Sequence, residues 1–182
     1  EALPPMGVVR SGLVAGLVGG HLIAAGGLRL SSAELLRVEG PFGSAEQQWE
    51  PLPAMRQPRV FAASAVEVPR GRMWVVGGGG AFGNRSVEIF DVGGGRWTTE
   101  PRELSYPRWG AAAAWHEGRV WVAGGCHSPG ALTVIEACDP REGRWSAWRC
   151  RPPTESAAVA GAASAAGDDD NVGGGLAGGG GA

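Results

Sequence analysis

Apolar positions in this chain fall in short unbroken runs that end in paired glycines, not in the three-to-four spacing of an amphipathic helix. Gly118 opens the run Arg119-Val120-Trp121-Val122-Ala123, which closes on Gly124-Gly125, and Trp145 follows 20 residues later. The same cassette stands twice upstream. Gly71 leads through Met73-Trp74-Val75-Val76 to Gly77-Gly78 and then Trp97, and Gly20 leads through Leu22-Ile23-Ala24-Ala25 to Gly26-Gly27 and then Trp49. Trp49, Trp97 and Trp145 are spaced 48 and 48 residues apart. Runs that are polar on neither side predict strands covered on both faces. A fixed period in this range predicts an array of like units.

Four short strands can be read in each unit. The first follows an arginine: Gly12 to Ala15 after Arg10, Val60 to Ala65 after Arg59, and Gly110 to Trp115 after Arg108. Its small side chains suit an innermost strand, where sheets converge on an axis and leave little room. The second is the apolar run itself. Arg10 to Gly26 and Arg108 to Gly124 are both 16 residues, and Arg59 to Gly77 is 18, the two extra residues fitting a longer turn at Glu67 to Arg70. The third strand aligns on a glutamate: Ala33-Glu34-Leu35-Leu36, Val87-Glu88-Ile89-Phe90 and Ile135-Glu136-Ala137-Cys138. Turns rich in Asp, Pro and Gly follow at Asp91 to Gly95 and Asp139 to Gly143. In the first unit Gly40-Pro41-Phe42-Gly43 makes a longer connection, so Glu34 to Trp49 is 15 residues where Glu88 to Trp97 and Glu136 to Trp145 are 9. The fourth strand starts at the periodic tryptophan and leads to Pro58-Arg59 or Pro107-Arg108.

These readings divide the chain into a linker or edge at 1–9, units at about 10–58, 59–107 and 108–155, and an Ala/Gly-rich tail at 156–182. Within the tail, Ser156 to Ala166 reads as a degenerate inner strand of a fourth unit, though no glycine pair or tryptophan follows it, and Gly167 to Ala182 lacks the apolar area to offset ordering entropy and is expected to be disordered.

Composition narrows the function. The chain has 33 glycines among 182 residues but no Gly-X-Y period, which fits many turns and not collagen. All 16 basic residues are arginine, and a formal charge of −2 with acids and bases interspersed offers no field for nucleic acid or an anionic membrane. Ser11 to Leu28 is free of charge, yet its six glycines and His21 fit two strands better than a membrane-spanning helix. Cys126, Cys138 and Cys150 lack the two-residue spacing of a metal or redox motif and read as small apolar positions. His21, His116 and His127 have no metal-ligand spacing, so no metal, cofactor or catalytic set is expected. The glycine pairs are followed by no phosphate-loop motif and read as places of close backbone packing. Trp49, Trp97 and Trp145 could offer a stacking platform, but recurrence in every unit places them, with the glycine pairs, in the repeat core.

The arginine-led small strand, the run ending in Gly-Gly, the Val-Glu-x-aromatic-Asp strand and the spaced tryptophan resemble the kelch repeat over about Arg10 to Trp148, with departures at Ile23, Leu36, Arg37 and Cys138. The resemblance implies an all-β fold: a β-propeller segment of about three four-stranded antiparallel blades, open or completed by another chain or partner. Propellers have at least about four blades, so three cannot close a ring. The chain is therefore expected to be part of a larger propeller; its open blade faces favour aggregation or association, and a symmetric pair of three-blade halves making one six-blade ring is the alternative.

The resemblance also implies a non-enzymatic protein–protein interaction scaffold in the cytoplasm or nucleus, an adaptor that recruits substrates through loops on one face. A propeller enzyme or carbohydrate binder whose active-site blades lie outside this chain is the alternative, and Asn84-Arg85-Ser86 is a glycosylation sequon meaningful only if the chain is exported. Copper oxidase chemistry of kelch-fold relatives needs a tyrosine-cysteine cofactor, and the one tyrosine, Tyr106, lies in the loop before Pro107-Arg108. The expected partner contacts are Arg10, Arg59 and Arg108 at the starts of the inner strands, as bidentate carboxylate binders or, alternatively, as caps on backbone carbonyls between neighbouring blades, with Arg29, Phe82, Arg85 and His127 in the variable loops after the glycine pairs.

Overall fold

A computed structural model describes residues 4–38, 47–79, 83–128 and 130–150. The tail at 156–182, the turn at Gly40 to Gly43, and Phe82 lie outside the described residues. The first blade comprises β1 (Val14–Val18), β2 (His21–Ala25), β3 (Ala33–Arg37) and β4 (Trp49–Leu52). The second comprises β5 (Ala63–Glu67), β6 (Arg72–Val76), β7 (Val87–Asp91) and β8 (Arg96–Thr99), and the third β9 (Ala112–His116), β10 (Arg119–Ala123), β13 (Val134–Asp139) and β14 (Arg144–Arg149). Each is a four-stranded antiparallel sheet with strands in chain order, and a small hairpin of β11 (Cys126–His127) and β12 (Gly130–Ala131) sits between β10 and β13.

The inner strands start two or three residues later than the apolar pattern suggests. Gly12, Phe61 and Gly110 have φ of 66°, 53° and 64°, and a left-handed residue cannot belong to an extended strand. The two extra residues of the second blade form a short 3-10 turn, Val68–Arg70, that ends on left-handed Gly71. Asp91 and Asp139 close the β7–β8 and β13–β14 turns by accepting backbone N–H bonds from Gly94 and Arg141.

Neighbouring blades pack face to face through two apolar layers. Val14, Val18, Ile23 and Ala25 of the first blade meet Met73, Val75 and Phe90 of the second, with Val66 and Trp97 at the margin. The opposite face of the second blade, with Ala63, Ala65, Trp74, Val76 and Ile89, meets Val120 and Val122 of the third, bordered by Trp115 and Trp145. The second blade is thus covered on both faces, which is why β6 is buried from Met73 to Val76. The three sheets do not close on themselves.

Candidate functional site

Antiparallel order puts the segment entering each inner strand and the β2–β3-type loops at one end of the blades. Arg10, Arg59 and Arg108 lie there, but below the surface. Arg59 and Arg108 are 1% and 0% exposed, and Arg10 is 8%. Arg59 donates Nε–H to Glu88 at 3.0 Å and Nη1–H to the carbonyls of Gly77 (2.6 Å) and Ser86 (3.1 Å). Arg10 repeats this with Glu34, Gly26 and Ser32. Arg108 likewise donates Nη1–H to the Gly124 and Val134 carbonyls but reaches Glu136 through Nη2–H, and its buried Nε–H has no partner among the described residues. Burial pulls the Arg59 guanidinium below the usual arginine range, and the Glu88 carboxylate acts in the other direction. A partner approaching this end cannot reach these guanidinium groups. The guanidinium groups do cap backbone carbonyls, but those of their own blade and not, as the sequence reading has it, carbonyls between neighbouring blades.

The repeated glutamates complete the same device. The second carboxylate oxygen of Glu34, Glu88 and Glu136 accepts the backbone N–H of Gly7, Arg56 and Ser105. Each carboxylate therefore pins the segment that enters its blade. The periodic tryptophans hold that segment from the far side, with indole N–H bonds from Trp49, Trp97 and Trp145 to the carbonyls of Pro4, Pro53 and Arg102. Residues 4–9 are accordingly the first blade's own entering segment, matching the stretches before Arg59 and Arg108.

Two large apolar side chains stay accessible at this end. Phe61 is 52% exposed and Leu28 63%. The Phe61 ring packs on Trp109 with centroids 6.2 Å apart and planes inclined by 46°. Leu28 donates its N–H to Ser11, and Gly12, the next residue, lies directly beneath the Phe61 ring. Leu28 and Gly12 of the first blade, Phe61 of the second and Trp109 of the third thus line this end as a strip, with Phe61 and Trp109 in ring contact. Arg29 stands beside it, exposed and at φ 60°. Phe61 and Arg29 are two of the three non-glycine residues with positive φ among those described. Such strain is retained where the surroundings impose it and clusters at functional sites.

Arg85 is on the same end but apart from the strip, held by a 2.6 Å bond to the Leu104 carbonyl with Glu103 nearby at 3.6 Å. His127 lies in the β11–β12 hairpin, half-buried. A polar cleft of about 340 Å³ opens beside the second blade's entering segment, lined by Arg56, Gln57, Thr99 and Glu103 above the Arg59–Glu88 pair. Among the described residues, no three His, Cys, Asp or Glu side chains converge as metal ligands would. Sequence reading passed over Phe61 and Trp109. The signal was present: Gly12, Phe61 and Gly110 are spaced 49 and 49 residues apart, so an aromatic stands where both neighbours have glycine.

No family model matches the sequence. Kelch domain-containing protein 8B of Homo sapiens is 38% identical over 79 residues, covering 43% of this chain and 22% of its own length. Spermatocyte protein spe-26 of Caenorhabditis elegans is 31% identical over 100 residues, covering 51% of this chain and 17% of its own. The chain therefore spans about a fifth of the length of these curated relatives. Among solved structures, YjhT superposes with a TM-score of 0.71 at 17% identity, over 82% of this chain and 53% of that one. A fungal alcohol oxidase in complex with copper gives 0.55 at 25% identity, over 65% and 27%. The registered glycine pairs, glutamates and tryptophans, the three antiparallel sheets and these likenesses make the chain a kelch-repeat protein, a run of β-propeller blades.

Proposed function

We propose that the chain is a protein-binding scaffold that docks its partner on the strip formed by Leu28, Phe61 and Trp109, with Arg29 beside it. Kelch-domain proteins generally bind protein partners. The observation that carries the reading is Phe61, held at φ 53° with half its ring in solvent, at a position where both flanking blades use glycine. A left-handed L-residue costs roughly 1–2 kcal/mol, and exposure of an aromatic ring recovers none of it in the free chain. A rigid aromatic pair with an adjacent guanidinium suits a segment that offers an apolar side chain flanked by a carboxylate.

The test is a random peptide library displayed on phage and panned on the purified chain, then on Phe61→Gly. Glycine takes this backbone conformation without strain, so the variant keeps its fold, checked by circular dichroism. Peptides enriched on the parent should carry an apolar anchor with Asp or Glu and lose at least tenfold in affinity for Phe61→Gly. Enriched peptides that bind both proteins equally would overturn the assignment, as would a library that yields none.

A further inference from the structure

The polar cleft beside the second blade departs from the repeat. It opens at the same end as the glycine pairs, because Thr99 ends β8 and Ser86 immediately precedes β7. At its base is the Arg59–Glu88 pair, which every blade repeats. The residues around that pair are not repeated. The residue whose backbone N–H the glutamate accepts is Arg56 here and Gly7 or Ser105 in the other blades, and Gln57 follows it where Val8 and Tyr106 stand. Thr99 faces Glu88 across the sheet where Pro51 and Ala147 face Glu34 and Glu136. Ser86, whose carbonyl caps Arg59, corresponds to Ser32 and Val134. The scaffold folds around glycine, valine, proline and alanine at these positions, so their polar groups in the second blade serve something other than the repeat.

These groups leave donors without acceptors. Ser86 Oγ accepts the Gln57 Nε2–H and the Arg59 Nη2–H, both at 2.6 Å, which fills its two lone pairs. Its own O–H then has no acceptor among the described residues. Turning the Gln57 amide over gives the hydroxyl an acceptor and frees the amide N–H groups instead, so a donor stays open either way. The Thr99 hydroxyl and the Arg56 guanidinium are exposed and equally without a partner among the described residues. Charge points the same way. Arg59 is offset by Glu88, whose two oxygens already accept the Arg59 Nε–H and the Arg56 backbone N–H. Glu103 lies 3.6 Å from Arg85. Among the described residues lining the cleft, Arg56 is left as the charge without a counter-ion.

We propose that this cleft binds a carboxylate, the Asp or Glu side chain of a peptide, with Arg56 as its counter-ion and the Ser86 and Thr99 hydroxyls as donors. A hydrogen bond to an ionised group is roughly twice as strong as a neutral one, so a carboxylate gains more from these donors than an amide of the same shape. Glu103 weighs against a phosphate, whose charge of about −2 it would repel more strongly. The cleft's volume of about 340 Å³ is ample for one such side chain with its backbone. The site adds a contact to the docking end and does not rest on the Phe61 strip.

Heteronuclear NMR titration of the full chain tests this, with a capped tripeptide that carries aspartate between two alanines as the probe. The peptide should shift the side-chain amide of Gln57 and the backbone N–H of Ser86 and Thr99, and its asparagine counterpart should bind at least tenfold more weakly. Arg56→Ser and Thr99→Ala place in the cleft the residues that the third blade has there, Ser105 and Ala147, so both keep the fold, and each should weaken the aspartate peptide at least fivefold. Phe61→Gly should leave that peptide's binding unchanged, which separates this site from the strip. No shift at these residues, equal binding of the asparagine peptide, or indifference to both substitutions overturns the inference. A phosphoserine counterpart that binds more tightly overturns the choice of a carboxylate. Binding only of a trialanine with a free C-terminus would move the site from a side chain to a chain end, which overturns it too.

Discussion

Cys138 and Asp139 are adjacent at the end of β13 and titrate in opposite directions. Burial pushes the Cys138 thiol up to about 12, helped by the charges of Glu100 and Asp139. Asp139 is held well below the usual carboxylate range by hydrogen bonds from the Arg141 side chain and backbone. The thiol is therefore neutral and covered at pH 8, whereas Cys150 is exposed and Cys126 half-buried. Maleimide labelling read by mass spectrometry should modify Cys150 first and Cys138 only on unfolding; early labelling of Cys138 would contradict its placement. For Asp139, a folded-state pKa below the unfolded value of about 3.9 stabilises the fold above that pH, and the contribution fades as pH falls through the folded value. Asp139→Asn should thus be less stable than the parent at pH 7, and urea unfolding should show the gap narrowing below about pH 4. A gap constant from pH 7 to pH 2 would mean that the Arg141 contact adds nothing.

Among the elements, the arginine–glutamate pairs tie each entering segment to its blade, and their burial sets their worth. The Arg59 and Glu88 side chains are 0% and 2% exposed, whereas those of Arg37 and Glu50, also paired, are 64% and 51% exposed. Glu88→Ala leaves a buried guanidinium uncompensated and should cost about 3–5 kcal/mol in urea unfolding. Glu50→Ala should cost under about 1 kcal/mol. Equal costs would remove the structural role assigned to the repeated pair. Both members of this device were visible in the sequence as separate series, Arg10, Arg59 and Arg108 beside Glu34, Glu88 and Glu136, and so was the period that sets the blades. Their union was not, because it depends on the β3-type strand running antiparallel to the apolar run and bringing its glutamate back beside the glycine pair. The strained Phe61 was hidden for a related reason: backbone angles are imposed by the Gly12 and Gly110 bonds to its N–H and carbonyl, which no local pattern records.

In the whole molecule, the apolar layers among the described residues join each blade to its sequence neighbours, so stability should vary along the array as a sum of nearest-neighbour terms. The second blade has two junctions, and Met73, Trp74, Val75, Val87 and Phe90 are all 0–1% exposed. The third has one junction, and every second residue of β9 faces solvent. Amide hydrogen exchange should be slowest in β6 and β7 and at least about tenfold faster in β9 and β10, which can open without exposing the first junction. Exchange that is uniform across the blades would show that the three sheets open as one unit, and the nearest-neighbour account of the array would fall with it.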